Sequence, residues 1–258
     1  MSLERLLLDV PTFVLVFFRT AAMMLAAPLF GSARVPRIVK VLMALVLSMG
    51  MMNGLRPIPM PPTAWALAIA IGGEIIFGLV IGTALSLTFV AVEWSGQVIG
   101  QQIGFNIAET VDPQFGGTSV IGDLYFMFAL VVFLLLRGHH ILIRGLRDSF
   151  ITLPLLSVGM NRSLFDLLIN LLQAAMLMAF RMAAALLVTV LIVDLLLGFL
   201  GKTMPQFNLM STGISLRSLV GMLVLIIGLS LTNQTIRSGL LDSLATAQNA
   251  WHGVNASP

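Results

Sequence analysis

The chain has 258 residues, of which 58% are hydrophobic and only 10% charged, with a formal net charge of +3 and no cysteine. Soluble domains carry about a quarter charged residues, and a fold of this size cannot hide so much apolar surface from water by itself. The composition therefore excludes a free-standing soluble globule. The missing cysteines exclude disulfides and thiolate metal or redox centres, and the scatter of Arg and Lys among apolar runs argues against a nucleic-acid face.

The first apolar run, residues 12–30, is read as a helix and not as a secretory signal, because Glu4 and Asp9 offset Arg5 and Arg19 interrupts the run. Further apolar runs follow at residues 38–52, 64–92, 124–136, 164–200 and 219–231. None alternates with the period of a membrane-barrel strand, and backbone in lipid must satisfy its own hydrogen bonds, so all are predicted helices. Three stretches punctuate them: the proline-rich 56–62, the polar and glycine-rich 106–122, and the basic 137–162.

The lengths are uneven. A spanning helix needs about 20 residues for a hydrocarbon core of about 30 Å, which makes 38–52 and 124–136 short. Residues 164–200, if unbroken, would form a helix about 55 Å long. Short and overlong runs together suggest helical hairpins packed in an assembly and only partly in lipid. A set of six or seven spans with bent or re-entrant segments is the alternative. Basic clusters at Arg34/Arg37/Lys40, Arg137/Arg144/Arg147 and Lys202/Arg217 do not alternate from loop to loop, so they fix no orientation.

Charges within the apolar runs are Arg19, Glu74, Glu93, Arg181 and Asp194. An unpaired ion in hydrocarbon costs at least about 2.5 kcal/mol on insertion scales, so each is a candidate functional residue. They could form a proton or ion relay, or pair with neighbouring subunits, or face a wet lumen; the pairing reading is preferred because no Asp/Glu/His series recurs along one face. Glu74, Gly78, Gly82 and Ser86 fall at four-residue spacing, which leaves one helix face nearly bare for close backbone approach. Gly96, Gly100 and Gly104 make a second ridge, flanked by Gln97 and Gln101. Such ridges serve packing within the chain, an interface with another subunit, or a pore lining.

Residues 106–122 are predicted to be an irregular loop. Asp112-Pro113 disfavours helix, Gly116-Gly117 frees the backbone, Thr118 and Ser119 can cap, and Asp123 can cap the next helix. Irregular backbone between apolar helices is tolerated only in water, in protein or along a cavity. The segment is an ordinary surface loop or, given Phe105, Ile107, Val111, Phe115 and Val120 among flexible residues, a plug that packs and then moves. No GxSxG, HExxH, Walker A or EF-hand pattern occurs, and Gly122-Asp123 lacks the preceding Gly of a GxGD pair. His139 and His140 are adjacent, with no nearby acid to suggest a metal site. Neither catalysis, nor a cofactor, nor a metal is expected.

An ordered set of residues carries a family resemblance: Arg19, Pro28, Phe30, Pro36 and Lys40; Gly73-Glu74, Gly78 and Gly82; Gly96, Gly100, Gln101, Gly104, Ala108 and Asp112-Pro113; and Met204-Pro205-Gln206, Asn208, Gly213 and Gly221. Over essentially its whole length the chain resembles the FliR family of flagellar biosynthetic proteins and their virulence-secretion counterparts, with the flagellar branch preferred. The resemblance implies an all-α fold of membrane-associated helical hairpins, assembled into a hetero-oligomeric type III export gate in the bacterial inner membrane at the flagellar basal body. It implies a FliP-like part at residues 1–163 and a FliQ-like hairpin at 164–258.

By the same resemblance the partners are FliP-like and FliQ-like gate subunits, FlhB-like and FlhA-like export components, rod proteins, membrane lipid and unfolded protein substrates, with no nucleic acid. Residues 106–122 match the family's loop that projects into the pore. Phe105, Ile107, Val111, Phe115 and Val120 would then seal it, with Asp112-Pro113 in the plug and Gly116 and Gly117 as hinge. A stand-alone secondary transporter is the rival, but neither paired broken helices nor internal symmetry is seen. A purely structural membrane scaffold is excluded only by the resemblance.

Overall fold

A computed structural model describes residues 3–31, 35–52, 55, 57–59, 61–104, 119–156, 162–203, 213, 215–227, 234–239 and 241–242. It is an all-α protein, with no strand among the described residues.

Helix α1 (Leu3–Ala26) leads into the single turn α2 (Pro28–Gly31), and α3 (Arg37–Met52) follows Pro36. The Pro36 carbonyl accepts the Val39 and Lys40 amides at 3.0 and 3.3 Å, which starts that helix. Helix α4 (Ala64–Ile103) is 40 residues long. Thr63 Oγ1 accepts the Ala66 amide at 3.2 Å at its start, a side-chain cap for an otherwise orphaned donor. Its end is Gly104, whose φ of 87° suits a residue without a Cβ. The sequence predicted an apolar helix only to residue 92; Glu93 to Ile103 continue it, because glycine and glutamine at four-residue spacing let a polar ridge ride on the same helix.

Helix α5 (Val120–Leu135) begins where Ser119 Oγ accepts the Gly122 amide at 3.3 Å. Ser119 is thus the cap, Asp123 lies inside the first turn, and residues 120–122, expected to belong to a loop, are helical. Arg137, with φ 54°, separates α5 from α6 (Gly138–Thr152). The sequence offered α6 only as a basic punctuation. Its buried residues Leu142, Leu146, Ser149 and Phe150 recur at helical spacing, while Arg144, Arg147 and Asp148 are exposed. Helix α7 (Arg162–Thr203) runs 42 residues without interruption, and α8 spans Ser215–Ile227.

Among the described residues two helices are long and apolar enough to cross a membrane, within Ala64–Ile103 and Leu168–Thr203, or three if α5 and α6 count as one broken span. The chain divides into two compact units, each discontinuous in sequence. One comprises residues 1–87, 137–172 and 241–258, and the other 88–136 and 173–240. In the first, Leu15, Val16 and Met23 of α1, Phe77 and Ile81 of α4, and Leu142, Leu146 and Phe150 of α6 are buried. In the second, the Phe89 ring lies 5.7 Å from Phe126 and 5.6 Å from Phe133. Ile99, Ile103, Ala183, Leu186 and Val190 are buried as well.

Candidate functional site

The first unit is organised around one charge. Arg19, on α1, is fully buried, and its Nε donates to Glu74 Oε2 of α4 at 2.5 Å. Its Nη1 donates to the Ser149 carbonyl at 3.2 Å, the Ser149 hydroxyl at 3.4 Å and the Leu153 carbonyl at 3.2 Å. Those carbonyls lie at the end of α6, where the Ser149 carbonyl also accepts the Leu153 amide at 2.9 Å, and a cation at a helix C-terminus is favoured by the helix dipole. The guanidinium carbon lies 4.5 Å from the centroid of Phe150 and 5.2 Å from that of Phe77, close enough for attraction by the ring faces. Glu74, 1% exposed, uses its other oxygen to accept the Leu156 amide at 3.4 Å. Leu156 adopts φ 71° in the turn that follows α6. One ion pair thus ties α1, α4, α6 and that turn.

The approach of α1 to α4 that permits this pair depends on small residues. A Cβ on Gly78 would fall on the Arg19 carbonyl oxygen, and one on Gly82 would stand 2.5 Å from both the Met23 carbonyl and the Ala26 Cβ. Ser86 Oγ donates to the Ala26 carbonyl. The face formed by Glu74, Gly78, Gly82 and Ser86 therefore receives α1 of the same chain, which answers the open question of what covers it here.

The second ridge holds the ends of two helices in the other unit. A Cβ on Gly96 would lie 2.7 Å from the Ile121 carbonyl and 2.8 Å from the Gly122 Cα. Gly122 in turn faces Gln97 and the Glu93 carbonyl. Gly100 is buried and Gly104 closes α4. Ser218 Oγ donates to the Ile103 carbonyl at 2.7 Å, and Gly221 abuts the Ile103 side chain. Between Gly104 and Ser119 lie Phe105, Ile107, Val111, Asp112, Pro113, Phe115, Gly116 and Gly117, all outside the described residues. Val120, the remaining residue assigned to the plug, is 66% exposed as the first residue of α5.

The other charges separate by environment. Glu93 is half-buried, and Arg181 is exposed on α7, so the structure encloses Arg19 but not Arg181. Asp194 pairs with Arg217 at 2.5 Å, with side chains 37% and 38% exposed. The sequence placed Arg217 in a loop cluster with Lys202; its partnership across the α7–α8 connection carries no local signature. Ser149, Leu153 and Phe150, which complete the Arg19 site, were likewise missed, and the only hint was the helical spacing of residues 142, 146 and 150. The His139 and His140 rings are 4.3 Å apart, and among the described residues no group of three potential metal ligands forms.

Fold and site together define a helical membrane protein built on an enclosed charge hub and glycine-flattened helix faces. The chain belongs to the family described as bacterial export proteins, family 1, whose profile matches residues 10–242. It is similar to the flagellar biosynthetic protein FliR of Bacillus subtilis, 29% identical over 243 residues that cover 93% of this chain and 94% of that protein. It is also similar to FliR of Aquifex aeolicus, 25% identical over 233 residues and 90% of each chain. FliR of Escherichia coli is 30% identical over 205 residues, covering 79% of this chain and 78% of the relative.

Proposed function

We propose that this chain is the FliR subunit of a flagellar protein export apparatus, a structural and gating part of the conduit that passes unfolded substrates across the bacterial inner membrane. The observation that carries the reading is the family match over residues 10–242, with relatives bearing the FliR name along nearly their full lengths. Those names favour the flagellar branch over the virulence branch. The partners are FliP-like and FliQ-like subunits, with FlhB-like and FlhA-like components and rod proteins around them at the basal body. In this reading residues 1–163 are the FliP-like part and 164–258 the FliQ-like part. That division is one of structural likeness to the two subunits and differs from the compact units described above.

The gate lies within residues 106–122, of which 120–122 form the first turn of α5. A conduit wide enough for an unfolded chain leaks ions at rest unless a partly apolar constriction closes it by excluding water. Phe105, Ile107, Val111, Phe115 and Val120 supply that surface, Asp112-Pro113 keeps the segment from becoming helical, and Gly116 and Gly117 let it yield. Support comes from the roots of the segment. Gly104 stops α4 at φ 87° and Ser119 restarts the chain as a helix cap, so both ends of the gate are set by defined backbone. No nucleotide motif occurs in the sequence, and energy for transport is assigned to partner proteins.

Two experiments test this. Co-expression with FliP-like and FliQ-like partners, followed by native mass measurement of the detergent-purified complex, should return this chain in a defined hetero-oligomer; a monodisperse single chain, with the partners assembling without it, favours the transporter reading. Deleting residues 111–117 leaves the Ser119 cap in place and should raise ion conductance of membranes holding the assembled complex. Unchanged conductance in an assembled complex refutes the gate assignment while leaving subunit membership intact.

A further inference from the structure

Three features meet at the turn after α6, and one rearrangement relieves them together. Leu156 holds φ 71°, in the left-handed region where the Cβ crowds the following carbonyl and a bulky residue is a genuine outlier. Strain of this kind persists only where the surroundings impose it, and it collects at switch regions. Arg19 is fully buried, yet its Nη2 finds no acceptor among the described residues, and a buried donor without a partner is costly. Glu74 meets Arg19 through one oxygen only: Oε2 accepts Nε at 2.5 Å, while Oε1 accepts the Leu156 amide at 3.4 Å.

The three share a cause. Nε and Nη2 lie along one edge of the planar guanidinium and present parallel N–H bonds, the fork that a carboxylate fills with both oxygens. Here Oε1 is turned to the Leu156 amide instead, so Nη2 goes without and Leu156 is held left-handed. Rotation of the carboxylate brings Oε1 to Nη2, frees that amide and lets the turn relax to negative φ. Leu156 is 48% exposed, so water can take the freed amide.

Nη1 has no part in this exchange, since its bonds run to Ser149 and to the Leu153 carbonyl. Helix α6 therefore stays docked on Arg19 whichever way Glu74 faces, and only residues 154–156 change course. That turn is the exit from α6 toward α7.

We propose that Glu74 is a two-position latch on the exit from α6. In one position it holds the turn at Leu156; in the other it pairs with both nitrogens of the Arg19 fork and lets the turn go. The device lies wholly within the first compact unit and does not depend on the export reading.

Amide exchange of the full chain in detergent, resolved to single residues, tests the latch with three variants. In L156G the left-handed penalty is gone, less the freedom that glycine adds to the open chain, so protection of the amides at 155 and 156 should rise about threefold or more. L155G, where the native residue is not left-handed, should lower that protection. L156P can neither donate to Glu74 nor adopt positive φ, which fixes the released position. Glu74 then closes on Arg19, and exchange at residues 16–20 of α1 and 72–76 of α4 should stay the same or slow. Faster exchange there in L156P overturns the latch, because the turn is then a plain support for the ion pair. Protection in L156G no better than in L155G overturns it as well, because Leu156 is then under no strain that release would relieve.

Discussion

Removing one partner of the Arg19–Glu74 pair should be far more damaging than removing both. In E74Q the guanidinium keeps its charge at full burial but loses its counterion at 2.5 Å. Breaking a buried pair from one side costs about 3–5 kcal/mol. R19M should cost a similar amount, because it leaves a carboxylate 1% exposed with only the Leu156 amide at 3.4 Å to satisfy it. The double variant R19M/E74L has no buried charge. What it lacks is the donor to the Leu153 carbonyl at 3.2 Å and the acceptor of the Leu156 amide at 3.4 Å, while the Ser149 carbonyl keeps the Leu153 amide at 2.9 Å. At about 1 kcal/mol net per hydrogen bond, its stability should fall within about 2 kcal/mol of the native chain. The coupling across the cycle is then several kcal/mol in favour of the pair. Denaturant titration in detergent, followed by fluorescence of Trp65 and Trp94 on α4, measures all four variants. Single losses below about 1 kcal/mol, or losses that simply add, would refute the claim that the two charges depend on each other.

The glycine faces give a matched pair of tests. G78A should lose about 1–3 kcal/mol, since its new Cβ meets the backbone carbonyl of Arg19 and α1 must move; G72A, on the same helix with nothing within 4 Å of its Cβ, should be neutral or stabilised by up to about 1 kcal/mol. Equal effects in the two variants, by the same titration, would show that α1 does not lie where described. S119A removes the side-chain acceptor of the Gly122 amide and should lower stability by about 1 kcal/mol, read as faster amide exchange in the first turn of α5 and absent from S119D, which caps as well.

What the sequence made legible depended on whether the signal was local. Apolar runs located α1, α3, α5, α7 and α8, because burial or lipid contact requires them whatever their partners. Helix α6 was hidden because Arg144 and Arg147 interrupt its apolar positions, although Leu142, Leu146 and Phe150 keep the helical period. The glycine ridge of α4 announced that a backbone approaches closely, but spacing carries no information about which backbone, and the answer was α1. Arg19 and Glu74 each stood out as charges in apolar surroundings, yet their pairing spans 55 positions and no pattern in either neighbourhood encodes it. Arg181 read the same way as Arg19 and is exposed on α7 instead, because a charge within an apolar run does not say whether the fold encloses it.

These two kinds of feature act on different parts of one problem. In a chain this apolar, leucine against leucine is nearly as favourable in any register, and surrounding lipid offers similar contacts, so apolar burial alone does not choose among alignments of α1 on α4. Gly78 and Gly82 admit close approach, which strengthens packing but leaves neighbouring turns in contention. Arg19 removes that ambiguity. Sliding α1 by one turn moves its side chain about 5.4 Å, far enough to break the contacts with Glu74, Ser149 and Leu153 together, and leaves a buried cation with no acceptor. The glycines set how near the helices come, and the ion pair sets where; a charge that contributes little net stability against an apolar replacement can still be the residue that makes the arrangement unique.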